Sequence, residues 1–384
     1  MAMARTSCIL APKEFNMAKT CLPLILLALL FALSCRAEDP SPRENPAPQP
    51  SAGASKVYFT SRIDAQAVRD VYARLERQLP GRIGIKVHFG EEGNQNFLPA
   101  TLIAGLCADL NATLVETNVL YGGKRGQTAS HIKLARDHGF TFAPIDILDS
   151  EGNISYDCRL KHFSKVYTGS HFEGYDGFLI FSHFKGHGSA GFGGAIKNIS
   201  MGLASKEGKR FLHSGDYPIY DQSKCISCGI CAASCPEQAI SLYPLSIDHL
   251  KCIACGKCVT VCPEKVFQIP PDDQQDFLER LVEYAFVLTQ RKPMLYINVL
   301  ANISSSCDCY SRAPRPFLPD IGILASTDLV ALEKASHDLV DKAHKCSDAF
   351  LKEVSVSGKR QIEYAAELRL GNLEYQLIDI DAAK

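Results

Sequence analysis

The sequence predicts an α/β fold, a mostly parallel sheet flanked by helices and interrupted by a small α+β insertion. Three observations predict it. Helical and strand periodicities alternate from Lys56 to about Tyr217, the alternation resumes after Pro271, and eight of the chain's 16 cysteines crowd between them, from Cys225 to Cys262. With 384 residues and 46% hydrophobic content the chain can bury a large core.

Within the first half, Ile63 to Leu79 repeats apolar residues at helical spacing, and Pro80-Gly81 ends that helix before the apolar run Ile83 to His88. Leu98 to Leu110 reads as helix, Thr113 to Glu116 as strand, Thr128 to His138 as helix and Thr141 to Ile147 as strand. Phe178 to Phe184 is a buried-strand candidate. After the insertion come helix Asp276 to Thr289, strands Met294 to Leu300 and Ile321 to Ala325, and helix Asp328 to Ala343. The expected organisation is one α/β domain, residues 56–216 and 271–384, with residues 217–270 inserted in it. Two independent α/β domains flanking the insertion are the alternative.

The N-terminal segment reads differently. The apolar run Leu22 to Leu33 is the length of a signal-peptide core and short for a membrane span, so residues 1–35 are expected to be a signal peptide. Ser34-Cys35 resembles a lipoprotein processing site, with cleavage after Ala37 as the plainer alternative. Residues 36–55 are rich in Pro, Ser and Ala and suit an extended linker. The expected location is the cell envelope, with membrane contact only through this signal or a lipid anchor. No Arg-Arg pair precedes the apolar run, which leaves the cytoplasm as the alternative.

A net charge of -1 offers no basic excess for nucleic acid. The cysteines carry the most specific signal. Cys225-Ile-Ser-Cys-Gly-Ile-Cys-Ala-Ala-Ser-Cys-Pro repeats 27 residues later as Cys252-Ile-Ala-Cys-Gly-Lys-Cys-Val-Thr-Val-Cys-Pro. Each half is C-x2-C-x2-C-x3-C-P. Three thiolates on one tight loop reach three irons of a cubane, and the fourth ligates the cubane of the other half. Cys225, Cys228, Cys231 and Cys262 are therefore expected to hold one [4Fe-4S] cluster, and Cys252, Cys255, Cys258 and Cys235 a second. Zinc knuckles also use C-x2-C pairs, but two pairs per ion suit these tandem quartets less well. Fully ligated cubanes leave no open iron, so the segment reads as an electron relay. Over Tyr217 to Pro270 it resembles two-cluster bacterial-type ferredoxins.

The reacting site is expected elsewhere, where a strand ends in His183, Lys185 and His187 before a glycine-rich loop (Gly191, Gly193, Gly194) and a helix opening near Ala195. Such sheet edges collect ligands. Backbone N–H groups at the helix start, with Lys197 and Asn198, suit a phosphate or carboxylate. The loop is neither a P-loop nor a dinucleotide fingerprint. A second polar strand end supplies Glu116, Asn118, Lys124 and Arg125, and His88 ends a third. The plainer reading is that the glycines permit close packing and the histidines are satisfied surface groups. Cys307-Asp-Cys309 is awkward for a disulfide and suits a metal or a reactive thiol. Cys107, Cys158 and Cys346 read as ordinary free cysteines.

His183-Phe-Lys-Gly-His, Gly191-Phe-Gly-Gly-Ala-Ile-Lys-Asn-Ile-Ser-Met-Gly, the tandem cysteine motifs, Cys307-Asp-Cys and Asp320-Ile-Gly-Ile-Leu-Ala-Ser-Thr-Asp-Leu-Val-Ala occur in this order. Together they resemble the uncharacterised iron-sulfur centre proteins of the domain-of-unknown-function 362 family, from Val57 to Ile380. Leu329 departs from the proline expected there. The resemblance implies a two-cluster ferredoxin module inserted in an α/β domain of unassigned reaction. A fainter similarity links His183 to Gly202 with the loop of nickel-pincer lactate racemases. Two functions compete: an oxidoreductase whose clusters serve a small anionic substrate, and a non-catalytic carrier that docks a redox partner protein.

Overall fold

The computed structural model describes residues 53–213, 217–249, 251–252, 257–268 and 274–382. The expected signal peptide, Cys35, most of the linker and Cys255 lie outside them.

In chain order the first half comprises β1 (Ser55–Thr60), α1 (Ala65–Ala73), β2 (Ile83–Lys86), α2 (Thr101–Asp109), β3 (Thr113–Glu116), α3 (Thr128–Asp137), β4 (Ile145–Ile147), β5 (Asn153–Asp157), β6 (Lys165–Gly169), β7 (Gly177–His183), β8 (Lys185–His187), β9 (Gly191–Gly193), α4 (Ala195–Leu203) and α5 (Lys206–Leu212). The cysteine-bearing segment forms β10 (Ile219–Tyr220), α6 (Ile230–Ser234), β11 (Ile240–Leu242), β12 (Leu245–Ile247), α7 (Lys257–Val261) and β13 (Phe267–Gln268). The chain closes with α8 (Gln274–Arg291), β14 (Met294–Leu300), β15 (Gly322–Ser326), α9 (Leu329–His344), α10 (Ala349–Val354), α11 (Lys359–Glu367) and β16 (Tyr375–Asp379).

Eight strands make the main sheet in the order β16-β1-β15-β14-β7-β2-β3-β4. Only β15 runs against its neighbours, so the sheet is mostly parallel as its sequence predicts. Every residue of β7 (GFLIFSH) and β14 (MLYINVL) is buried, as expected for central parallel strands covered on both faces. Apolar residues of α4, α8, α9 and α11 pack on one face of the sheet, and those of α1 and α2 on the other. Helix starts follow their capping residues: Asp64, Ser205, Asp328 and Asp348 each accept a backbone N–H from the first turn. Helix α1 is shorter than its apolar pattern, ending at Ala73, because Arg77 to Pro80 supply no further buried face.

The 27-residue repeat is visible as structure. α6 maps onto α7, and the left-handed residues Gln238 and Lys265 (φ 49° and 50°) stand one repeat apart. The segment closes on itself through the antiparallel pairs β10 with β13 and β11 with β12, around Cys231, Leu245, Val266 and Phe267.

Candidate functional site

A cavity of about 170 Å³ opens at the carboxyl ends of β2, β3 and β7. Lys86 and His88 reach it from β2, Glu116 from β3, His183 from β7, and Lys185 and His187 from β8. Lys197 and Asn198 on the first turn of α4 form another wall, and Cys307 and Cys309, after β14, complete it. The strand ends converge because a parallel sheet delivers all its carboxyl ends to one edge.

Of the residues expected at the site, Glu116, Arg125, His183, Lys185, His187, Gly193, Gly194, Lys197 and Asn198 line this cavity. Asn118 does not: its side chain donates to Thr128 Oγ1 at 3.0 Å and its backbone N–H to Asp149. Lys124 is turned outward to pair with Glu92. Gly191 adopts φ +73°, and a Cβ there would stand 2.3 Å from the backbone nitrogen of Gly358, so it serves close packing. The start of α4 is also taken. Glu333 accepts from Ala195 N at 2.5 Å and from Asn298 Nδ2 at 3.1 Å, so a carboxyl from within the protein occupies the place a bound anion would take. Burial in this apolar setting pushes the Glu333 carboxyl up to about 7.

Deep in the cavity the charges are mutually satisfied. Lys86 Nζ donates to Val87 O (2.6 Å), Asn198 Oδ1 (2.8 Å) and Glu116 Oε1 (3.1 Å). Arg125 reaches Glu116 at 3.3 Å and donates to His88 Nε2 at 2.9 Å. Burial disfavours a charged Glu116, yet Lys86 and Arg125 hold its carboxyl well below the usual range. Burial first, then the neighbouring Arg125, holds His88 well below its ordinary value, consistent with a ring nitrogen that accepts.

His183 has no nitrogen left for a ligand. Its Nδ1 faces both oxygens of Asp308 at 2.9 and 3.0 Å and its Nε2 faces Ala301 O at 2.6 Å, so both nitrogens meet acceptors. Lys185 adds a second contact to Asp308 at 3.0 Å. Burial opposes a charged Asp308, but His183 and Lys185 keep its carboxyl well below the carboxylate range. Asp308 sits between Cys307 and Cys309 in the chain, and these two are joined by a disulfide, contrary to the expectation from their spacing.

Lys197 is the exception among these cations. Among the described residues its ammonium makes no hydrogen bond or ion pair, although it lines the cavity. Burial, then Lys185 and Arg125, lower its pKa to about 7. Lys209, tied to Thr117 Oγ1 and Ala204 O at 2.6 Å each, is lowered to about 8 chiefly by burial. His187, whose Nδ1 accepts from Ser189 and Ala190 N at 3.2 and 3.1 Å, is lowered by burial and then by Lys197. The arrangement offers one uncommitted lysine able to carry or release a proton near neutrality, in a positive enclosure suited to a small anion.

Sequence reasoning missed Lys86, Lys209, Asp308 and Glu333. A lysine inside the apolar run Ile83 to Val87 was the one available signal, since a buried strand charge needs partners.

In the cysteine segment, Cys225, Cys228, Cys231 and Cys262 line one small cavity, closed by Leu242 and Phe267. Cys225, Cys235 and Cys262 each accept a backbone N–H on sulfur at 3.3 to 3.4 Å; the bonds Ala239 to Cys235 and Val266 to Cys262 are one repeat apart. Burial, and then the neighbouring Cys262 and Cys225, push the Cys231 thiol up. Four cysteines lining one cavity, two of them (Cys225 and Cys262) with N–H donors on sulfur, suit a cluster that binds as tetrathiolate. Cys252 and Cys258 lie in the same segment, and Cys255 is outside the described residues.

No curated protein matches the chain. Among solved structures, it is similar to a lactate racemase apoprotein from Thermoanaerobacterium thermosaccharolyticum at 14% identity and TM-score 0.29, covering 41% of this chain and 40% of that one. A Thermotoga maritima protein solved by a structural genomics consortium matches at 8% identity and TM-score 0.38, over 73% of this chain and 58% of that one. The chain thus spans less than two thirds of either structure. A family model described as a domain of unknown function matches residues 83–338, a range enclosing every cavity-lining residue and both cysteine motifs. On that match the chain belongs to the DUF362 family.

Proposed function

We propose that the protein is an iron-sulfur oxidoreductase in which electrons held by two [4Fe-4S] clusters reach a small anionic substrate in the Lys197 cavity. The clusters supply one-electron chemistry, held by Cys225, Cys228, Cys231 and Cys262 and by Cys252, Cys255, Cys258 and Cys235. The observation that carries the reading is the convergence of four strand ends and Lys197 on one cavity whose cations are otherwise paired.

The chain's own residues then have distinct tasks. Lys197 binds the anion and exchanges a proton, while Lys86, Asn198 and Arg125 fix the wall behind it. His213 lines the cavity, and Tyr217 follows within about 14 Å of extended chain. Tyr217 stacks on His249 with ring centroids 4.7 Å apart, three residues before Cys252. That proximity supports a cluster at Cys252 as the one nearer the substrate.

The carrier reading is favoured by exposed apolar side chains on the cysteine segment, Ile226 at 63% and Tyr243 at 82%, which suit a redox partner protein. Attachment to the cell envelope is proposed on the apolar run Leu22 to Leu33 alone. Among the described residues no helix is long and apolar enough to cross a membrane.

The test is anaerobic iron and sulfide quantification on the full chain, with electron paramagnetic resonance after dithionite reduction. About eight irons and a coupled two-cluster signal are expected, and small carboxylates should perturb wild type but not Lys197→Met. Zinc in place of iron sinks the redox reading, whereas clusters indifferent to every anion favour the carrier.

A further inference from the structure

The paired cysteines after β14 have no part in that reading, and they line the same cavity as His187. Ligand atoms of His187, Cys307 and Cys309 all lie within 4.8 Å of one another. We propose that Cys307 and Cys309, when reduced, form with His187 a mononuclear zinc site whose fourth position opens into the Lys197 cavity.

The local chain explains why two sulfurs share a side. Residues 307–310 form a tight turn closed by Tyr310 N–H to Cys307 O at 3.2 Å, which brings the α-carbons of Cys307 and Cys309 to 5.3 Å with one residue between them. Asp308 is that intervening residue, held inward by His183 at 2.9 Å and Lys185 at 3.0 Å. The acid thereby positions both sulfurs without touching the ion. Cys309 N–H donates to Cys307 Sγ at 3.4 Å, the kind of contact that stabilises a ligating thiolate.

The donor set selects the metal. Two thiolates and an imidazole suit zinc and repel hard cations such as magnesium or calcium. Zinc's charge cancels that of two thiolates, so filling the site leaves the cavity's positive balance intact. Tetrahedral zinc sets sulfur and nitrogen donors about 3.5 to 3.8 Å apart, within a small adjustment of the observed cluster once the disulfide is opened. Three protein ligands leave one position free, the pattern of catalytic rather than structural zinc.

Among the described residues the two other groups of potential ligands are spoken for. Glu279, in the first, already pairs with Lys161 at 2.7 Å and Arg360 at 2.6 Å. His337, Asp341 and Asp348 offer no thiolate, and Asp341 and Asp348 accept backbone N–H groups of Ala349 and Leu351.

The cluster cysteines also bind zinc when iron is missing, so the experiment is a difference. The full chain, its Cys307→Ser/Cys309→Ser variant and its His187→Ala variant are reduced with a phosphine under argon and titrated with cobalt and zinc. Thiolate-to-cobalt absorption and chelator competition are read, with thermal melts confirming that each variant folds. Wild type should hold one equivalent more than the double serine variant, and His187→Ala should bind that equivalent about tenfold more weakly or worse. Equal stoichiometry in wild type and double variant overturns the proposal. So does unchanged affinity in His187→Ala, or a Cys307–Cys309 disulfide that survives reduction in the folded chain. Iron content is read separately, so loss of the cluster reading leaves this result interpretable.

Discussion

Asp308 and His183 bridge 125 residues of sequence to form one buried contact, Nδ1 to Oδ1 at 2.9 Å, between the loop after β14 and the end of β7. Neither side chain has access to solvent, and Lys185 completes the cluster. Replacing Asp308 by Asn leaves Lys185 short of its counter-charge and takes one carboxylate oxygen from His183 Nδ1. A loss of about 3 to 5 kcal/mol is expected from removing one partner of a buried ion pair, measured by urea unfolding of the full chain. A variant within 1 kcal/mol of wild type, about the size of a surface pair, shows the contact to be dispensable.

Glu333 gives a pH dependence of stability. Its folded pKa is about 7 against 4.5 for the free group, so between those values the native state binds the extra proton. The neutral carboxyl's stabilisation is present in full below about pH 4.5 and lost as pH rises through about 7. Glu333→Gln, which keeps the neutral form, should match wild type in acid and exceed it by about 1 to 3 kcal/mol at pH 8. Parallel denaturation curves at both pH values check this.

Lys197 titrates near 7, and its charge is what an anion meets in the cavity. Oxalate affinity, followed by calorimetry, should therefore fall as pH rises through 7, approaching about tenfold per unit beyond it. Lys197→Met should bind weakly at every pH. A pH-independent wild-type affinity places the anion elsewhere.

Cross-ligation between the two cysteine halves makes double variants non-additive. Cys225→Ser/Cys262→Ser should lose no more iron than either single variant, about four atoms. Cys225→Ser/Cys235→Ser should lose nearly all of it. Iron counts in the reverse order mean that each half holds its own cluster.

Gly191 separates packing from binding within the glycine-rich loop. Alanine there meets both a φ of +73° and the backbone of Gly358, so a cost of about 1 to 3 kcal/mol is expected with no change in oxalate affinity at fixed folded concentration.

The core was legible because its signals are local. The apolar runs Phe178 to Phe184 and Met294 to Leu300 became β7 and β14, and the strand Thr113 to Glu116 matches β3. What escaped depends on distant partners. β1 pairs with β16, whose Tyr375 lies opposite Ser55, and the antiparallel direction of β15 leaves no mark in its composition. Asp308 reads as one acid between two cysteines until β7 brings His183 beside it, and Glu333 reads as one more helix charge until Ala195 donates to it. The cavity edge could be named from the strand-end histidines and lysines, whereas the division between paired and unpaired cations could not.

Because β15 alone among the eight strands of the main sheet is reversed, β1 runs in the same sense as β7 and β14, and Ser55 begins at the sheet margin remote from the cavity mouth. A molecule shortened to begin at Gly53 and held there on a sensor chip, bead or electrode would thus turn its binding opening outward, and a reporter fused at Gly53 would leave that opening clear.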